Sequence, residues 1–507
     1  MELVAGIILV LSLAVFAVSL FGLYLTLYTW EHPDRLAASQ GPAKPMRPQL
    51  SFTAIVPARS EEAVIYETIR RIWQARYPKR LLEILVVCHV SDLGTISEAR
   101  RAANDLDPAR VRVLTFSDLP INKPHGLNVA LAEARRQVVT IFDAEDDVHP
   151  ELFRMINHVM VREGVNVVQA GVQLMNFKDH WFGIHNCLEY FFWFKSRLHF
   201  HANAGMIPLG GNTVFIRRDL LLRVGGWDIE CLTEDADIGI RLSAIGERIR
   251  VVYDAEKVTR EETPDSVGSW IRQRTRWNQG FVYLLRKGTW LHLPRWRHRF
   301  LALYTLSYPL LQSLLFLLWP TVVIGIVLVK APLPVALASF LPLYALVFQF
   351  VVQMVGAVMF TAEYGQRLPL TTAVGMAFTF LPYQWMLGIS ALRAVYRELE
   401  IKLGWEKTHH RGAHRQADAW AVPTGPMVSA ATSGVASGVT SAGTSPASMV
   451  ATIGSTLASP ADVTSAQYAG LASGPDFWRF CRHCGRRRPA GLAICPSCAN
   501  RPGGLVT

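Results

Sequence analysis

The apolar positions of this chain fall into two regimes. Four stretches carry no Asp, Glu, Lys or Arg: Leu3 to Trp30, Phe300 to Val329, Ala331 to Ala362 and Leu368 to Leu392. Each exceeds the ~20 residues a helix needs to cross a bilayer. Between the first and second lies a different pattern. Short β-rich apolar runs recur at Ser51 to Val56, Ile84 to Val87, Val111 to Leu114 and Val138 to Phe142. Helical patterns separate them at Glu61 to Arg76, Ile96 to Asp105 and Gly126 to Arg136. Continuous apolar strands alternating with helices predict an α/β domain whose mostly parallel sheet is covered on both faces. In such sheets ligands bind beyond the carboxyl ends of the strands.

These patterns divide the chain into an N-terminal transmembrane helix (1–30), an α/β domain (48–286) and an interfacial helix (287–299). A transmembrane region of three or four helices follows (300–392), then a basic segment (393–420). The apolar run of the first segment is too long for a cleaved leader and lacks a cleavage site, so a retained anchor is expected. Arg35, Lys44 and Arg47 follow it, and basic residues from Lys287 to Arg299 precede the second span. By the positive-inside rule the domain between them is expected to be cytoplasmic, on a multi-pass protein of the cell membrane. The basic stretch 393–415 places the tail inside as well. A split at Pro320 or at Lys330 to Pro334 would reconcile the span count. The formal net charge of +11 collects beside these segments. Anionic lipid is therefore the expected partner, and no nucleic acid is expected.

Residues 421–475 are rich in Ser, Thr, Ala and Gly and lack large apolar side chains, the composition of a flexible linker. Beyond it stand Cys481, Cys484, Cys495 and Cys498, two C-x-x-C pairs. Four thiolates at this spacing can close a tetrahedral structural Zn²⁺ site, a zinc-ribbon-like module over 480–501, with disulfides, which need an oxidising compartment, as the alternative. The arginines of this module suit lipid headgroups, nucleic acid or protein, and a lone short ribbon is more often a protein-interaction or stability module, so a protein partner is expected. Cys88, Cys187 and Cys231 show no paired spacing and read as buried residues.

Three polar clusters interrupt the pattern. Asp143, Glu145, Asp146 and Asp147 follow directly after an apolar strand. One acid can cap the following helix, a role that suits Asp147. Several together suit Mg²⁺ or Mn²⁺, with Asp143 and Glu145 on one side of an extended end and Asp146 adjacent. Thr233-Glu234-Asp235 stands at a helix start, where Thr233 can cap and a carboxylate tends to stay ionised. That suits a general base acting on a hydroxyl. Gln273, Arg276 and Trp277 lie at i, i+3 and i+4, one helix face carrying a guanidinium and a flat ring.

In this order, attached to transmembrane segments, the clusters resemble those of membrane-bound family 2 glycosyltransferases, such as the cellulose and hyaluronan synthases. The likeness covers roughly residues 50 to 415. It includes Ile55 to Glu61, the lone Asp92 where the family usually has an acid pair, and Lys123-Pro-His-Gly-Leu-Asn128. It also includes Asp143-Ala-Glu145 where Asp-x-Asp is usual, Pro208 to Thr213, and Trp405 to Thr408, similar to a gating segment. The resemblance implies a GT-A-type α/β domain and an inverting, metal-dependent transfer from a UDP- or GDP-sugar to a glycan or lipid acceptor. A polysaccharide synthase is the implied role. It implies catalytic Asp235 with Glu234, and metal-binding Asp143, Glu145 and Asp146. It implies donor contacts from Pro57, Glu61, Asp92, Lys123, Asn128, Gln273 and Arg276, and acceptor contacts from Trp277, Gly210, Gly211 and Asn212. A different class of reading is a membrane-anchored scaffold with a degenerate transferase domain, working through the zinc module.

Overall fold

The computed structural model describes residues 2–400 apart from 330–331, with residues 412, 414 and 415 and two short strand pieces near the C-terminus. Nine strands precede the C-terminal helices: β1 Phe52–Pro57, β2 Leu82–His89, β3 Val111–Phe116, β4 Val138–Ile141, β5 Val167–Ala170, β6 Val172–Leu174, β7 Val214–Arg217, β8 Ile249–Val252 and β9 Thr259–Glu261. Seven form one sheet in the order β3-β2-β1-β4-β7-β5-β8, and β6 pairs with β9. All pairs of the large sheet are parallel except those made by β7, which runs antiparallel to β4 and β5. The expected mostly parallel sheet is present.

Both faces of the sheet are covered, and strand alternation explains how. Phe52, Ala54 and Val56 of β1 join one core with Ile84, Val86, Ile69 and Phe153. Ile55 points the other way, into a core with Leu85, Val139, Leu127 and Trp227. The central strands are therefore apolar on both faces at most positions, as a doubly covered sheet demands, with Thr53, Glu83 and Thr140 as buried polar exceptions.

The β4 strand ends at Ile141, and the acids from Asp143 onward sit in a turn rather than on an extended end. The helix that follows, Leu152–Glu163, has Glu151 at its N-cap position. Asp147 does not cap it. Its buried carboxylate is 2.7 Å from Arg71 Nη1, and its backbone bridges to Arg260. A full ion pair outcompetes a capping bond for a buried carboxylate.

The N-terminal helix Glu2–Glu31 packs against helix Leu341–Glu363. Helix Val267–Lys287 packs against Trp296–Val329 and Leu370–Leu399. The apolar region thus holds three long helices, with the short helix Leu333–Ser339 between the first and the second of them. Among the described residues, Gly6–Glu31 and Leu333–Glu363 are long and apolar enough to cross a membrane. The stretch 287–299 is not one interfacial helix. Gly288, at φ 75°, ends the preceding helix, a 3₁₀ turn spans Thr289–His292, and the next helix starts at Trp296. A left-handed glycine and Pro294 leave no room for a continuous helix.

Trp405 to Thr408, the linker and the four C-x-x-C cysteines lie outside the described residues. Near them Arg479–Phe480 pairs antiparallel with Arg487–Arg488. Cys88, Cys187 and Cys231 are buried and unpaired, as expected.

Candidate active site

A cavity of about 1100 Å³ opens at the carboxyl ends of β1 and β4. That exceeds the usual range for a single small ligand. Its walls gather most of the residues singled out in the sequence: Pro57, Glu61, Lys123, Asp143, Glu145, Gly210, Gly211, Asn212, Glu234, Asp235, Gln273, Arg276 and Trp277.

Lys123 is the hub. It sits at the start of helix Lys123–Glu133, whose Asn122 cap accepts from the His125 N–H. Its Nζ is 2.6 Å from Asp143 Oδ1, 3.8 Å from Glu234 Oε1, and donates to Gly211 O at 3.0 Å. Burial pulls the Lys123 pKa down, but Asp143, Glu234 and Asp235 more than offset it, so the ammonium is held charged.

Glu234 and Asp235 open helix Glu234–Ala244. Backbone N–H groups at the helix start donate to Asp235 and favour its ionised form, as the sequence leads one to expect. Burial is nevertheless the larger effect, and both carboxyls are raised, Glu234 to about 7. Lys123 opposes the rise in each. Thr233 occupies the N-cap position without a side-chain capping bond. It packs instead on Gly280 of helix Val267–Lys287, where a Cβ would fall 2.5 Å from Thr233 Cγ2. Only glycine permits this approach, which fixes the acidic helix start against the helix bearing Gln273, Arg276 and Trp277.

On that helix Arg274, to which the sequence pattern assigns no role, holds Trp277. Its guanidinium lies 4.2 Å from the Trp277 ring centroid and 5.3 Å from that of Trp270. It is paired with Glu189 and bonded to Asn186. Tyr190 sits 6.2 Å from Trp277, ring to ring. Glu189, Tyr190, Arg274 and Glu261 all line the cavity. No local motif marks them, since their partners lie far along the chain, 88 residues for Arg274 and Asn186 and 49 for Glu261 and Asn212.

Three predicted site residues sit elsewhere. Asp146 is fully buried and turned away from the cavity. Its carboxylate accepts from Asn212 Nδ2 at 2.9 and 3.0 Å and from the Asp143 N–H at 2.9 Å. Burial, then Glu261, Asp143 and Glu145, raise its pKa well above the ordinary carboxylate range. Asp92 caps helix Leu93–Leu106 and accepts from the Ser60 N–H at 2.5 Å, shaping the loop after β1. Asn128 bonds both ways with the Trp227 backbone, at 2.8 and 2.9 Å, against Gly226 at φ 70°. Its role in the fold is to brace the loop before Glu234.

Among the described residues no three His, Cys, Asp or Glu side chains converge into a metal-holding cluster. Asp143 and Glu145, both on the cavity wall, offer hard oxygen donors. This donor set fits a divalent cation that keeps waters and is completed by substrate phosphates.

Residues 48–280 match the model of the Glycosyltransferase like family 2. The chain is 28% identical over 251 residues to the probable glycosyltransferase YdaM of Bacillus subtilis, covering 46% of this chain and 56% of that protein. It is 25% identical over 418 residues to the beta-monoglucosyldiacylglycerol synthase of Synechocystis sp., covering 79% of this chain and 83% of that protein. Against the first of these relatives, and against the Trichormus variabilis synthase of the same name, the matched stretch spans about half of their length. Among solved structures, the mannosyltransferase PcManGT of Pyrobaculum calidifontis, in complex with GDP-Man and Mn²⁺, aligns with a TM-score of 0.50 at 20% identity. That match covers 78% of this chain and 99% of that one.

Proposed function

Because residues 48–280 form a family 2 glycosyltransferase domain, we propose that the chain moves a sugar from a nucleotide-diphosphate sugar to a glycan or lipid acceptor at the cytoplasmic face of a membrane, with inversion. The observation that carries this reading is the convergence on one cavity of Lys123, Asp143, Glu234, Asp235, Gln273, Arg276 and Trp277. In it Asp235 takes the proton of the acceptor hydroxyl as that oxygen attacks the anomeric carbon. The helix-start N–H groups and Lys123 keep Asp235 ionised enough to serve. Glu234, with its pKa near 7, shares the charge around Lys123. Arg276 holds the donor diphosphate, and Trp277, clamped by Arg274, offers a face to a sugar ring. A divalent cation held by Asp143 and Glu145 would supply charge neutralisation for the departing diphosphate. Pro57, Glu61 and Gln273 line the donor side; Gly210, Gly211 and Asn212 line the acceptor side.

Two apolar helices and relatives named as lipid-glycosylating enzymes support membrane attachment. The spacing of the four distal cysteines supports a structural Zn²⁺ module of separate role.

The test is Asp235→Asn. The variant should insert and bind nucleoside diphosphate as the parent does, with transfer reduced at least a hundredfold, the lower end of what a general base contributes. Near-parental turnover would remove Asp235 from this role.

A further inference from the structure

We propose that Lys287 is a positioning residue for sugar transfer: its ammonium holds the helix that starts at Glu234 in the rotation that aims Asp235 into the cavity. This deepens the transferase reading above and rests on it. Lys287 is the last residue of helix Val267–Lys287, which carries Gln273, Arg276 and Trp277. Its partners are Asp228 and Asp237, both fully buried, and none of the three lines the cavity. Lys287 Nζ donates to Asp228 Oδ2 at 2.7 Å and to Asp237 Oδ1. Asp228 belongs to the loop leading into helix Glu234–Ala244, and Asp237 to the first turn of that helix. One ammonium thus joins the helix bearing Trp277, the loop, and the helix start bearing Glu234 and Asp235. Tyr283, one turn before Lys287, adds a bond to Asp228 Oδ2 at 3.3 Å.

Arg241 completes the frame. Its Nε donates to Asp237 Oδ2 at 2.7 Å, and its two terminal nitrogens donate to Val224 O and Gly226 O, each at 2.7 Å. Asp237 and Arg241 stand four residues apart, on one side of their helix. At about 100° per residue, Asp235 lies about 200° round the helix from Asp237, on the opposite side, where it lines the cavity. A clamp on the back of the helix therefore sets the direction of the carboxylate on its front. The packing of Thr233 on Gly280 pins the helix start in place, but a single packed side chain is a pivot and leaves rotation open. The ion bridge closes that freedom.

The chemistry of the frame suits geometry more than stability. Buried ion pairs hold a fold little better than well-packed apolar groups would. Charge-assisted hydrogen bonds are directional, however, and fix an angle that apolar packing leaves soft.

The experiment uses the full chain in nanodiscs containing diacylglycerol, with cello-oligosaccharide in the water. UDP-glucose, UDP-N-acetylglucosamine and GDP-mannose are offered as donors, and release of UDP or GDP is followed. Lys287→Met should bind UDP or GDP as the parent does, because Lys123, Asp143 and Arg276 remain in the cavity wall. Its kcat should fall about tenfold to a hundredfold, the range of a misplaced reacting group, with little change in the donor KM. Lys287→Arg should recover most of kcat, since a guanidinium can reach both carboxylates. The double variant Lys287→Met with Asp228→Asn removes the cation together with one of its carboxylates and leaves Asp237 paired with Arg241. Its thermal midpoint should rise above that of Lys287→Met while its kcat stays low, because the bridge is still missing. Should Lys287→Met not fold, the double variant alone decides the question. Parental kcat in Lys287→Met, or in the double variant a kcat that recovers in step with the midpoint, makes Lys287 a brace for stability alone. Either result overturns the proposal and leaves the transferase reading standing. Failure of the parent protein to bind UDP or GDP or to turn over any of the donors overturns the transferase reading, and this one with it.

Discussion

Lys123 and Asp143 form a 2.6 Å ion pair in the wall of the cavity, and the same ammonium also lies within Coulombic reach of Glu234 and Asp235. One cation therefore balances three carboxylates from two separate chain segments. Lys123→Met should leave all three to Arg276, a second cation within Coulombic reach of them. Breaking one partner of a buried pair costs about 3–5 kcal/mol when the remaining charge stays buried. The carboxyls will instead take up protons. Since Lys123 lowers the pKa of Glu234 and Asp235, its loss raises both. A base that must be ionised then reaches that state only at higher pH, so the acid limb of the kcat/KM profile should move upward. Lys123→Arg should restore most of the profile. An acid limb that stays in place in Lys123→Met would show that Asp235 does not sense this charge.

Gly280 faces Thr233 so closely that an added Cβ would lie 2.8 Å from Thr233 Cβ. Gly280→Ala should therefore destabilise by about 1–3 kcal/mol, the usual result of overpacking. It should also lower kcat, because the displaced residue adjoins Glu234. Thr233→Ala removes the two side-chain atoms nearest the intruding methyl, so the double variant should recover about 1 kcal/mol relative to additivity. Thermal unfolding of the four proteins in detergent measures the cycle, and additive losses would refute the contact.

Most of this arrangement is legible in the sequence where the determinant is local. The runs at Ser51 to Val56 and Val138 to Phe142 read as buried strands, and they are β1 and β4. Acid clusters after a strand and at a helix start mark the cavity walls because those positions are strand and helix ends. What is not legible depends on partners far along the chain. Nothing near Asp147 announces Arg71, 76 residues away, which takes it from the following helix. Asn128 fits a donor-binding motif by spacing, yet Trp227 claims both ends of its amide. Arg274 stands inside Gln-x-x-Arg-Trp at an unspecified position, and only the fold brings Glu189 and Trp270 to it. The break within 287–299 rests on the left-handed conformation of Gly288, which the pattern of Trp and Arg there does not announce.

Acid should destabilise the protein through two histidines beneath the N-terminal helix. His199 and His201 are buried, and burial lowers their pKa values to about 3 and about 4. Arg250 adds to the effect at His199. Both rings are neutral in the fold, whereas in the unfolded chain they protonate near 6.5. Their contribution is fully present above pH 6.5 and is lost as pH falls toward 4 and then 3. For His201 alone the full loss is roughly 3 kcal/mol. Unfolding midpoints measured from pH 7.5 to 4.5 should fall, and His201→Gln should flatten the slope. An equal slope in that variant would assign the acid sensitivity to other groups.

Arg415 lies 269 to 271 residues downstream of the turn carbonyls it reaches, yet it holds the acidic turn. Its Nη1 donates to Val64 O at 2.9 Å, while Nη2 bonds Thr68 Oγ1 and reaches Ala144 O and Asp146 O at 3.4 Å. Nearby, Gly412 N–H donates to Glu262 Oε1 at 3.1 Å. These carbonyls flank Glu145, so the guanidinium sets the shape of the turn that presents Asp143 and Glu145 to the cavity. Arg415→Ala should cost about 2 kcal/mol, since hydrogen bonds to charged groups are the stronger kind. The more informative effect is on the cation requirement. With the turn loosened, the Mg²⁺ or Mn²⁺ concentration giving half-maximal transfer should rise severalfold, while kcat at saturating metal falls little. Arg415→Lys should not rescue it, because an ammonium cannot reproduce the planar fork that spans several carbonyls. Titrating metal against initial rate in the three proteins separates the outcomes. A stability loss with an unchanged metal dependence would make Arg415 a brace for the fold and not for the acidic turn.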